Sequence, residues 1–168
     1  MLIVFGGLPG TGKTTIAKEV VSRSAAVYLR IDTIEQAIRS AKPAEDVGPA
    51  GYLVAYELAK TNLTLGRTVV ADCVNPLPLT RAAWRSVAAA ASSPIIEIEL
   101  ICSDTQEHRR RVEDRAMDIP DLTPPTWTSV LAHEYQPWNE PREIIDTASL
   151  SASEAAAIIC AKIEFSRR

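Results

Sequence analysis

The sequence predicts an α/β fold in which a mostly parallel five-stranded sheet is covered by helices on both faces. Short apolar runs alternate along the chain with segments of helical periodicity, an alternation typical of parallel sheets. The first apolar run leads through a glycine-rich loop directly into a helical pattern. The length of 168 residues, with 46% apolar and 23% charged residues, fits one globular domain over residues 1–168.

The chain begins with a predicted strand, loop and helix. Residues 1–5 form a continuous apolar run that ends at Gly6, as expected of a central strand buried on both faces. After the loop, apolar residues recur at helical spacing and predict a helix over residues 14–23. These apolar residues are Ile16, Ala17, Val20 and Val21. A glycine loop therefore joins the first strand to the first helix.

The same alternation continues to the end of the chain. Apolar runs predict further strands at residues 26–31, 68–72, 94–103 and 144–146. Helical spacing and charged stretches predict further helices at residues 32–41, 49–66, 79–91, 104–117 and 153–165. Gly66 provides a C-terminal stop for the second of these helices.

One segment interrupts the alternation. Residues 117–142 contain five prolines and no strand pattern, with a single helix predicted over residues 126–135. Long insertions of this kind in compact enzymes are often lids. With the charged helix that precedes it, we expect a lid-like insertion over about residues 104–142.

Charge and cysteine content exclude several classes of partner. The net charge of −3 does not draw the molecule to a polyanion, so nucleic acid is not an expected partner. The three cysteines are widely spaced and odd in number, which argues against a disulfide framework or a zinc site and favours a cytoplasmic location. No apolar run is long enough to span a bilayer, and the opening "MLIVF" lacks the features of a signal peptide.

The glycine loop predicts a nucleotide site. "GLPGTGKT", residues 7–14, matches G-x-x-x-x-G-K-[ST] at every specified position. Its glycines permit positive φ and let backbone N–H groups converge on phosphate oxygens. Lys13 is expected to reach the β- and γ-phosphates of ATP, and the Thr14 hydroxyl to ligate Mg²⁺. The predicted nucleotide-binding residues are Gly7, Leu8, Pro9, Gly10, Thr11, Gly12, Lys13, Thr14 and Thr15. The alternative is a strand-to-helix turn that binds no ligand.

Two aspartates follow predicted strands on the same edge of the sheet. Asp32 is a candidate general base, because a carboxylate near the γ-phosphate can accept the proton of an attacking hydroxyl. Alternatively, Asp32 and Glu35 form a D-x-x-E cap for the following helix. Asp72 follows the apolar run "TVVA" and is a candidate magnesium ligand, or else a turn residue at the strand end.

Several segments together resemble a known family. They are "GLPGTGKTT", "LRIDTIEQAIR", "VVADCVNPLPLTRAAWRSVA", "HRRRVEDR" and "IIDT". In this order they are similar to the small P-loop kinases of the AAA_33, zeta-toxin and chloramphenicol-phosphotransferase type. The resemblance implies a three-layer, adenylate-kinase-like P-loop NTPase fold with strand order 2-3-1-4-5 and a helical lid. It also implies transfer of the γ-phosphate of ATP to a hydroxyl group, with Asp32 as the base.

The resemblance also implies roles for three residues near the lid. Arg111 and Arg115 are implied to be lid arginines, and their i, i+4 spacing would place both on one helix face near the transferring phosphoryl group. Asp146, within "IIDT", is implied to lie beside the adenine. The alternative for the arginines is a solvated, salt-bridged surface, because acidic residues are interleaved with them.

Fewer residues indicate the identity of the phosphate acceptor. Several related kinases with acidic or phosphorylated acceptors have an arginine three residues after the base, where this chain has Glu35. We therefore expect a small-molecule hydroxyl acceptor that is neutral or cationic, although Arg30 and Arg39 remain available to an anion. The lid aromatics either stack on a ring or, more often, pack the insertion onto the body; they are Trp127, Tyr135 and Trp138. Neither histidine, His108 or His133, is predicted to be a ligand or base.

The sequence thus predicts a Mg²⁺-ATP-dependent kinase for a small hydroxyl compound. Two alternatives remain open at this point. One is a polynucleotide 5′-hydroxyl kinase, and the other is a nucleotide-sensing P-loop ATPase without a small-molecule acceptor.

Overall fold

The computed structural model describes residues 1–41, 47–116 and 118–165. Five strands form one parallel sheet in the order β2-β3-β1-β4-β5. The strands are β1 (Leu2–Gly6), β2 (Val27–Arg30), β3 (Val69–Asp72), β4 (Ile95–Ile101) and β5 (Glu143–Asp146). The helices are α1 (Lys13–Ser24), α2 (Ile31–Ala41), α3 (Ala50–Thr64), α4 (Pro78–Ala90), α5 (Thr105–Glu113), α6 (Trp127–Leu131) and α7 (Ala152–Phe165). The predicted fold class and strand order are confirmed.

Both faces of the sheet are covered. Successive side chains of a strand point to opposite faces, so Ile3 and Phe5 pack with α1 and α7 on one side. Leu2 and Val4 pack on the other side, with α3 and α4. A strand that is apolar at every position is therefore buried on both faces, as the opening run predicts. Within the described part of the chain, no helix combines the length and apolar character needed to cross a membrane.

The register brings the ends of three strands together. Phe5 of β1 lies opposite Asp72 of β3, and Asp72 lies opposite Arg30 of β2. Strand β1 ends at Gly6, the residue after Phe5, and the glycine loop follows it. Because all three strands are parallel, the residues at their carboxyl ends meet at the edge of the sheet beside the glycine loop.

Two of the helix boundaries that differ from the prediction affect the candidate site residues. Helix α2 begins at Ile31, directly after β2, so Asp32 lies in its first turn and not at a cap position. Helix α5 begins after its N-cap, Asp104, whose side chain accepts hydrogen bonds from two backbone N–H groups. It ends at Glu113, so Arg115 lies beyond the helix and does not share a helix face with Arg111. The last residue of the predicted 104–117 helix lies outside the described residues.

The proline-rich insertion is fastened by one buried arginine. Arg81 of α4 is fully buried, and its guanidinium donates to four backbone carbonyls. The acceptors are Asn75 (3.1 Å), Pro76 (2.9 Å), Gln136 (2.6 Å) and Pro137 (2.9 Å). The chain leaves α6 after Leu131 to make these contacts, so the predicted 126–135 helix is shorter than expected.

The aromatic residues of the insertion pack it onto the body. The Arg81 guanidinium carbon lies 4.2 Å from the centre of the buried Trp138 ring. Trp138 Nε1 donates to the Tyr135 hydroxyl (2.7 Å), which donates to Glu99 (3.2 Å). The Trp127 ring lies edge-on to His108, with centroids 5.2 Å apart. Of the two interpretations of these aromatics, packing is the one that their contacts support.

Arg81→Met is expected to lower the free energy of unfolding by about 3 kcal/mol or more. The methionine fills part of the volume but leaves several buried carbonyls without donors, and each unsatisfied polar group costs about 1–3 kcal/mol. Urea denaturation measures the change. Arg67→Met, at an exposed position, is the control. A loss below about 0.5 kcal/mol, typical of surface changes, would contradict the fastening role.

Candidate active site

The loop between β1 and α1 has the backbone geometry of a phosphate cradle. Gly7, Gly10 and Gly12 have φ values of 137°, 85° and 86°. A Cβ at Gly7 would collide with the Leu100 carbonyl, and one at Gly10 with Val112. Because α1 begins immediately after Gly12, its free N–H groups and the positive end of its dipole point toward this loop. The loop therefore offers converging donors to an anion.

His108 supports the loop from outside. Its Nε2 donates to the Pro9 carbonyl (2.8 Å), and the side chain is buried. This contact joins α5 to the glycine loop. His108 thus holds the glycine loop against α5.

Lys13 lies inside the loop with its amine close to the backbone. Its Nζ donates to the Leu8 carbonyl (2.8 Å), which also accepts from the Thr11 hydroxyl (2.9 Å). Burial lowers the pKa of Lys13, and the nearby carboxylates of Asp72 and Asp32 partly oppose that effect. A buried ammonium held by one neutral carbonyl is well prepared for an anionic ligand.

Asp72 is held by two hydroxyl groups that donate to the same carboxylate oxygen. The Thr14 hydroxyl lies 2.8 Å from Asp72 Oδ2, and the Tyr28 hydroxyl lies 2.7 Å from it. The Asp72 side chain is 3% exposed. Burial and Asp72 raise the pKa of Tyr28, so the phenol remains a donor at neutral pH. Tyr28 lies in no recognisable motif; the one indication of its role is that it lies two residues before Arg30, on the same face of β2.

The Thr14 and Asp72 pair fits magnesium. A hydroxyl and a carboxylate oxygen are hard ligands of the type that Mg²⁺ takes beside nucleotide phosphates. Among the described residues, no group of three or more His, Cys, Asp or Glu side chains is placed to hold a metal ion. This sparse donor set agrees with Mg²⁺ chemistry, in which one or two protein ligands are completed by phosphate oxygens and water.

Arg30 connects three carboxylates at the end of β2. Its Nη1 donates to both oxygens of Asp118 (2.9 and 2.8 Å). Its Nη2 lies 3.7 Å from Asp32 Oδ2, and its Nε lies 3.9 Å from Asp72 Oδ2. The side chain is 5% exposed, and Nε and Nη2 form no hydrogen bond with any described residue. Burial opposes its charge, yet the Asp118 hydrogen bonds and the surrounding carboxylates raise the pKa of Arg30.

Two cavities adjoin at the phosphate loop. The larger, about 650 Å³, runs from the loop along α1 to Arg111. The smaller, about 190 Å³, contains Asp32 and Asp72. Lys13, Thr14 and Arg115 line both cavities. These three side chains therefore mark the place where the two cavities meet.

The two arginines lie in different parts of this site. Arg115 lines both cavities. Arg111 lines only the larger one. Its guanidinium donates to Glu107 (2.7 Å) and to the side chain and carbonyl of Thr147 (2.9 and 3.0 Å). These bonds, which the sequence pattern does not reveal, direct Arg111 to the loop after β5 and away from the smaller cavity.

The carboxylates of Asp146 and Glu35 contact neighbouring residues and do not line the smaller cavity. The Asp146 carboxylate accepts from the backbone N–H groups of Ser103 and Ala148 (3.0 Å each), so it shapes the loop and lines neither cavity. Glu35 pairs with Arg39 at 3.3 Å and does not line the smaller cavity. The placement of the Asp146 loop beside the adenine, which the resemblance implies, stays a prediction.

The fold and the loop define a P-loop nucleotide-binding domain of the kinase-like, three-layer α/β class. The chain belongs to the AAA_33 family of AAA domains, which matches residues 2–137. No curated protein matches the sequence at a significant level.

Solved structures share the fold at low sequence identity. Kti12 from Chaetomium thermophilum, in complex with ADP-AlF3, is 20% identical over 98% of both chains, with a TM-score of 0.71. A candidate kinase from Chloroflexus aurantiacus is 17% identical over 98% of this chain and 96% of its own, with a TM-score of 0.74. The APS kinase CysC from Mycobacterium tuberculosis, in complex with AMPPNP and APS, is 18% identical over 97% and 96%, with a TM-score of 0.63.

Tyr28→Phe is expected to lower the free energy of unfolding by about 1–2 kcal/mol. The change removes one hydrogen bond to the buried Asp72 carboxylate, and bonds to such groups are worth more than neutral ones. Chemical denaturation measures the loss. Tyr56→Phe is the matched control, because its hydroxyl donates at 3.3 Å to the neutral Thr80 carbonyl. Equal losses in the two variants would contradict a special role for the contact with Asp72.

Proposed function

We propose that this protein is an ATP-dependent phosphotransferase that moves the γ-phosphate of Mg²⁺-ATP to a hydroxyl group of a small molecule. One observation carries the proposal: a nucleotide-sized cavity on the phosphate loop adjoins a small cavity that contains a carboxylate, Asp32. The residues at the junction are a lysine, a threonine and an arginine, the groups that phosphoryl transfer uses. A module that only sensed a nucleotide would have no need of the second cavity.

The residues of the chain divide the work of the reaction. The loop N–H groups and Lys13 bind the β- and γ-phosphates in the larger cavity, and Arg115 approaches the γ-phosphoryl from the insertion. The acceptor binds in the smaller cavity with its hydroxyl near Asp32. Its oxygen forms a bond to the γ-phosphorus, the bond from that phosphorus to the β-γ bridging oxygen breaks, and the hydroxyl proton passes to Asp32. The products are ADP and a phosphate ester.

Thr14 and Asp72 are the residues that would hold Mg²⁺. When bound with the nucleotide, the ion neutralises charge on the phosphate oxygens. Tyr28 keeps Asp72 in the orientation in which Thr14 also contacts it.

The proposed acceptor is neutral or cationic, and not a phosphomonoester or a sulfate. Asp32 and Asp72 give the smaller cavity two carboxylates, and its two cations, Lys13 and Arg115, also face the nucleotide. Neither Arg30 nor Arg39 lines the smaller cavity, and each is paired with a carboxylate, Arg30 with Asp118 and Arg39 with Glu35, so neither is placed to receive an anionic acceptor there. The fold itself does not choose the acceptor, since similar structures carry names as different as gluconokinase and APS kinase.

A panel of acceptors tests the proposal. The protein is mixed with Mg²⁺-ATP and, separately, with sugars, nucleosides, amino sugars, nucleoside monophosphates, adenylyl sulfate and 5′-hydroxyl oligonucleotides, and ADP is followed. Release of ADP that depends on a neutral or cationic hydroxyl compound is expected. Monophosphates or sulfates as the best acceptors would overturn the acceptor class. Dependence on oligonucleotides, or ADP release that no acceptor changes, would favour one of the two other functions considered from the sequence.

A further inference from the structure

Asp118, in the insertion, joins two parts of the body through its carboxylate. The Lys18 ammonium on α1 donates to Asp118 Oδ2 at 2.7 Å. The Arg30 guanidinium at the end of β2 donates to both carboxylate oxygens, at 2.9 and 2.8 Å. These contacts span 100 and 88 residues of sequence. No motif in the sequence indicates them, and the proposed reaction leaves them without a role.

The ion pairs of Asp118 with Lys18 and Arg30 are strong for a side chain that is 40% exposed. The Lys18 ammonium and then the Arg30 guanidinium hold the pKa of Asp118 well below its usual range, so the carboxylate stays charged at any physiological pH. Arg30 is 5% exposed, and its other carboxylate neighbours, Asp32 and Asp72, are at 3.7 and 3.9 Å. Loss of Asp118 would therefore leave a buried guanidinium without its two short hydrogen bonds, which is unfavourable.

The position of Asp118 in the chain makes this contact relevant to the site. It lies three residues after Arg115, so the Cα atoms of the two residues can be at most about 11 Å apart. Arg115, Ala116 and Asp118 all line the larger cavity, and Arg115 also lines the smaller one. Fixing Asp118 to α1 and β2 thus limits where the Arg115 guanidinium can lie.

We propose that Asp118 is a positioning residue, whose ion pairs with Lys18 and Arg30 hold Arg115 at the junction of the two cavities. The proposal rests on the proposed function, because it assigns Arg115 to the phosphoryl group that is transferred there. Asp118 itself does not contact the reacting atoms. It acts by restricting the conformations of the segment that carries Arg115, so that less conformational entropy is lost when the nucleotide binds.

A direct effect of the Asp118 charge would have the opposite sign. Asp118 lines the cavity that would hold a polyanion, so its carboxylate repels the nucleotide if it acts only through its charge. In that case Asp118→Asn binds nucleotide more tightly than the wild type. If Asp118 positions Arg115, the same variant binds more weakly, because the arginine is no longer held in place.

A double-mutant cycle on binding separates these effects. The affinity for ADP with aluminium fluoride and Mg²⁺ is measured by calorimetry in the wild type, Asp118→Asn, Arg115→Ala and the double variant. We expect Asp118→Asn and Arg115→Ala each to weaken binding about tenfold, and Arg115→Ala to cost less than about twofold in the Asp118→Asn background. Asp118→Glu should restore most of the affinity. Asp121→Asn, an exposed aspartate of the same insertion, is the control and should bind like the wild type.

Two results would overturn the proposal. One is tighter binding by Asp118→Asn, and the other is an equal cost of Arg115→Ala in both backgrounds. Lys18→Gln provides a second cycle with Arg115→Ala if Asp118→Asn folds poorly, since the Lys18 side chain is 54% exposed. This cycle should be non-additive as well. Because the readout is binding, a protein that transfers phosphate to no acceptor but shows both non-additive cycles would refute the proposed function and leave the Asp118 contact supported.

Discussion

Lys13→Ala is expected to lower kcat/KM for ATP by about 100-fold or more and to weaken ATP binding. The Lys13 amine is buried at the junction of the two cavities, and the only hydrogen bond described for it goes to the neutral Leu8 carbonyl. Burial lowers its pKa, so the folded protein holds this charge against a desolvation cost. A phosphate group that enters the loop would replace that carbonyl with a charged partner, and losing such an electrostatic contact typically costs about 10²–10³ in rate.

The Lys13→Ala variant is expected to lose no stability. Removing a buried ammonium that is weakly compensated should leave the free energy of unfolding unchanged or higher. Binding is measured by calorimetry with ATP and Mg²⁺, and turnover by ADP release, with Lys60→Ala on the exposed side of α3 as the control. Wild-type affinity and turnover in Lys13→Ala would remove the nucleotide site from this loop.

Asp32→Asn is expected to reduce kcat by about 10²–10⁴ while the dissociation constant for ATP changes by less than about twofold. General-base catalysis contributes a factor of that size, and an amide cannot accept the acceptor proton. Asp32 lines the smaller cavity and not the larger one, so nucleotide binding should be almost unaffected. Its side chain is 41% exposed, which leaves it accessible to an acceptor.

The split between kcat and ATP affinity distinguishes catalysis from a structural role. Glu57→Gln, an exposed residue of α3, provides the matched loss of one carboxylate. Asp32 also lies in the first turn of α2 and 3.7 Å from Arg30, so a purely structural carboxylate would lower stability on substitution and leave kcat intact. Retained turnover in Asp32→Asn would show that this is its only function.

The fold was predictable because its signals are local. An all-apolar strand, a glycine loop and a helix follow one another within residues 2–24, and the structure contains them in that order. The loop requires positive φ values at its glycines, and a short sequence motif is enough to indicate this requirement. The chain's membership of the AAA_33 family agrees with the resemblance that these motifs carry.

The rest of the site depends on contacts between distant segments. Tyr28 reaches Asp72 across 44 residues and Arg30 reaches Asp118 across 88, and neither pair lies in a recognisable motif. The end of α5 at Glu113 separates Arg115 from the helix that carries Arg111, although their spacing suggested one face. Spacing alone cannot reveal this, because the position of a helix end depends on what the following residues contact.

Transfer of the labelled γ-phosphate of ATP is the most direct test of the central claim. ATP carrying a labelled γ-phosphate is incubated with the wild type, Lys13→Ala and Asp32→Asn in the presence of the best acceptor of the panel, and the products are separated. We expect the wild type to place the label on the acceptor as a phosphate ester, with one ADP formed per ester, and both variants to form far less. Label that appears only as inorganic phosphate, at a rate that no acceptor changes, would contradict it.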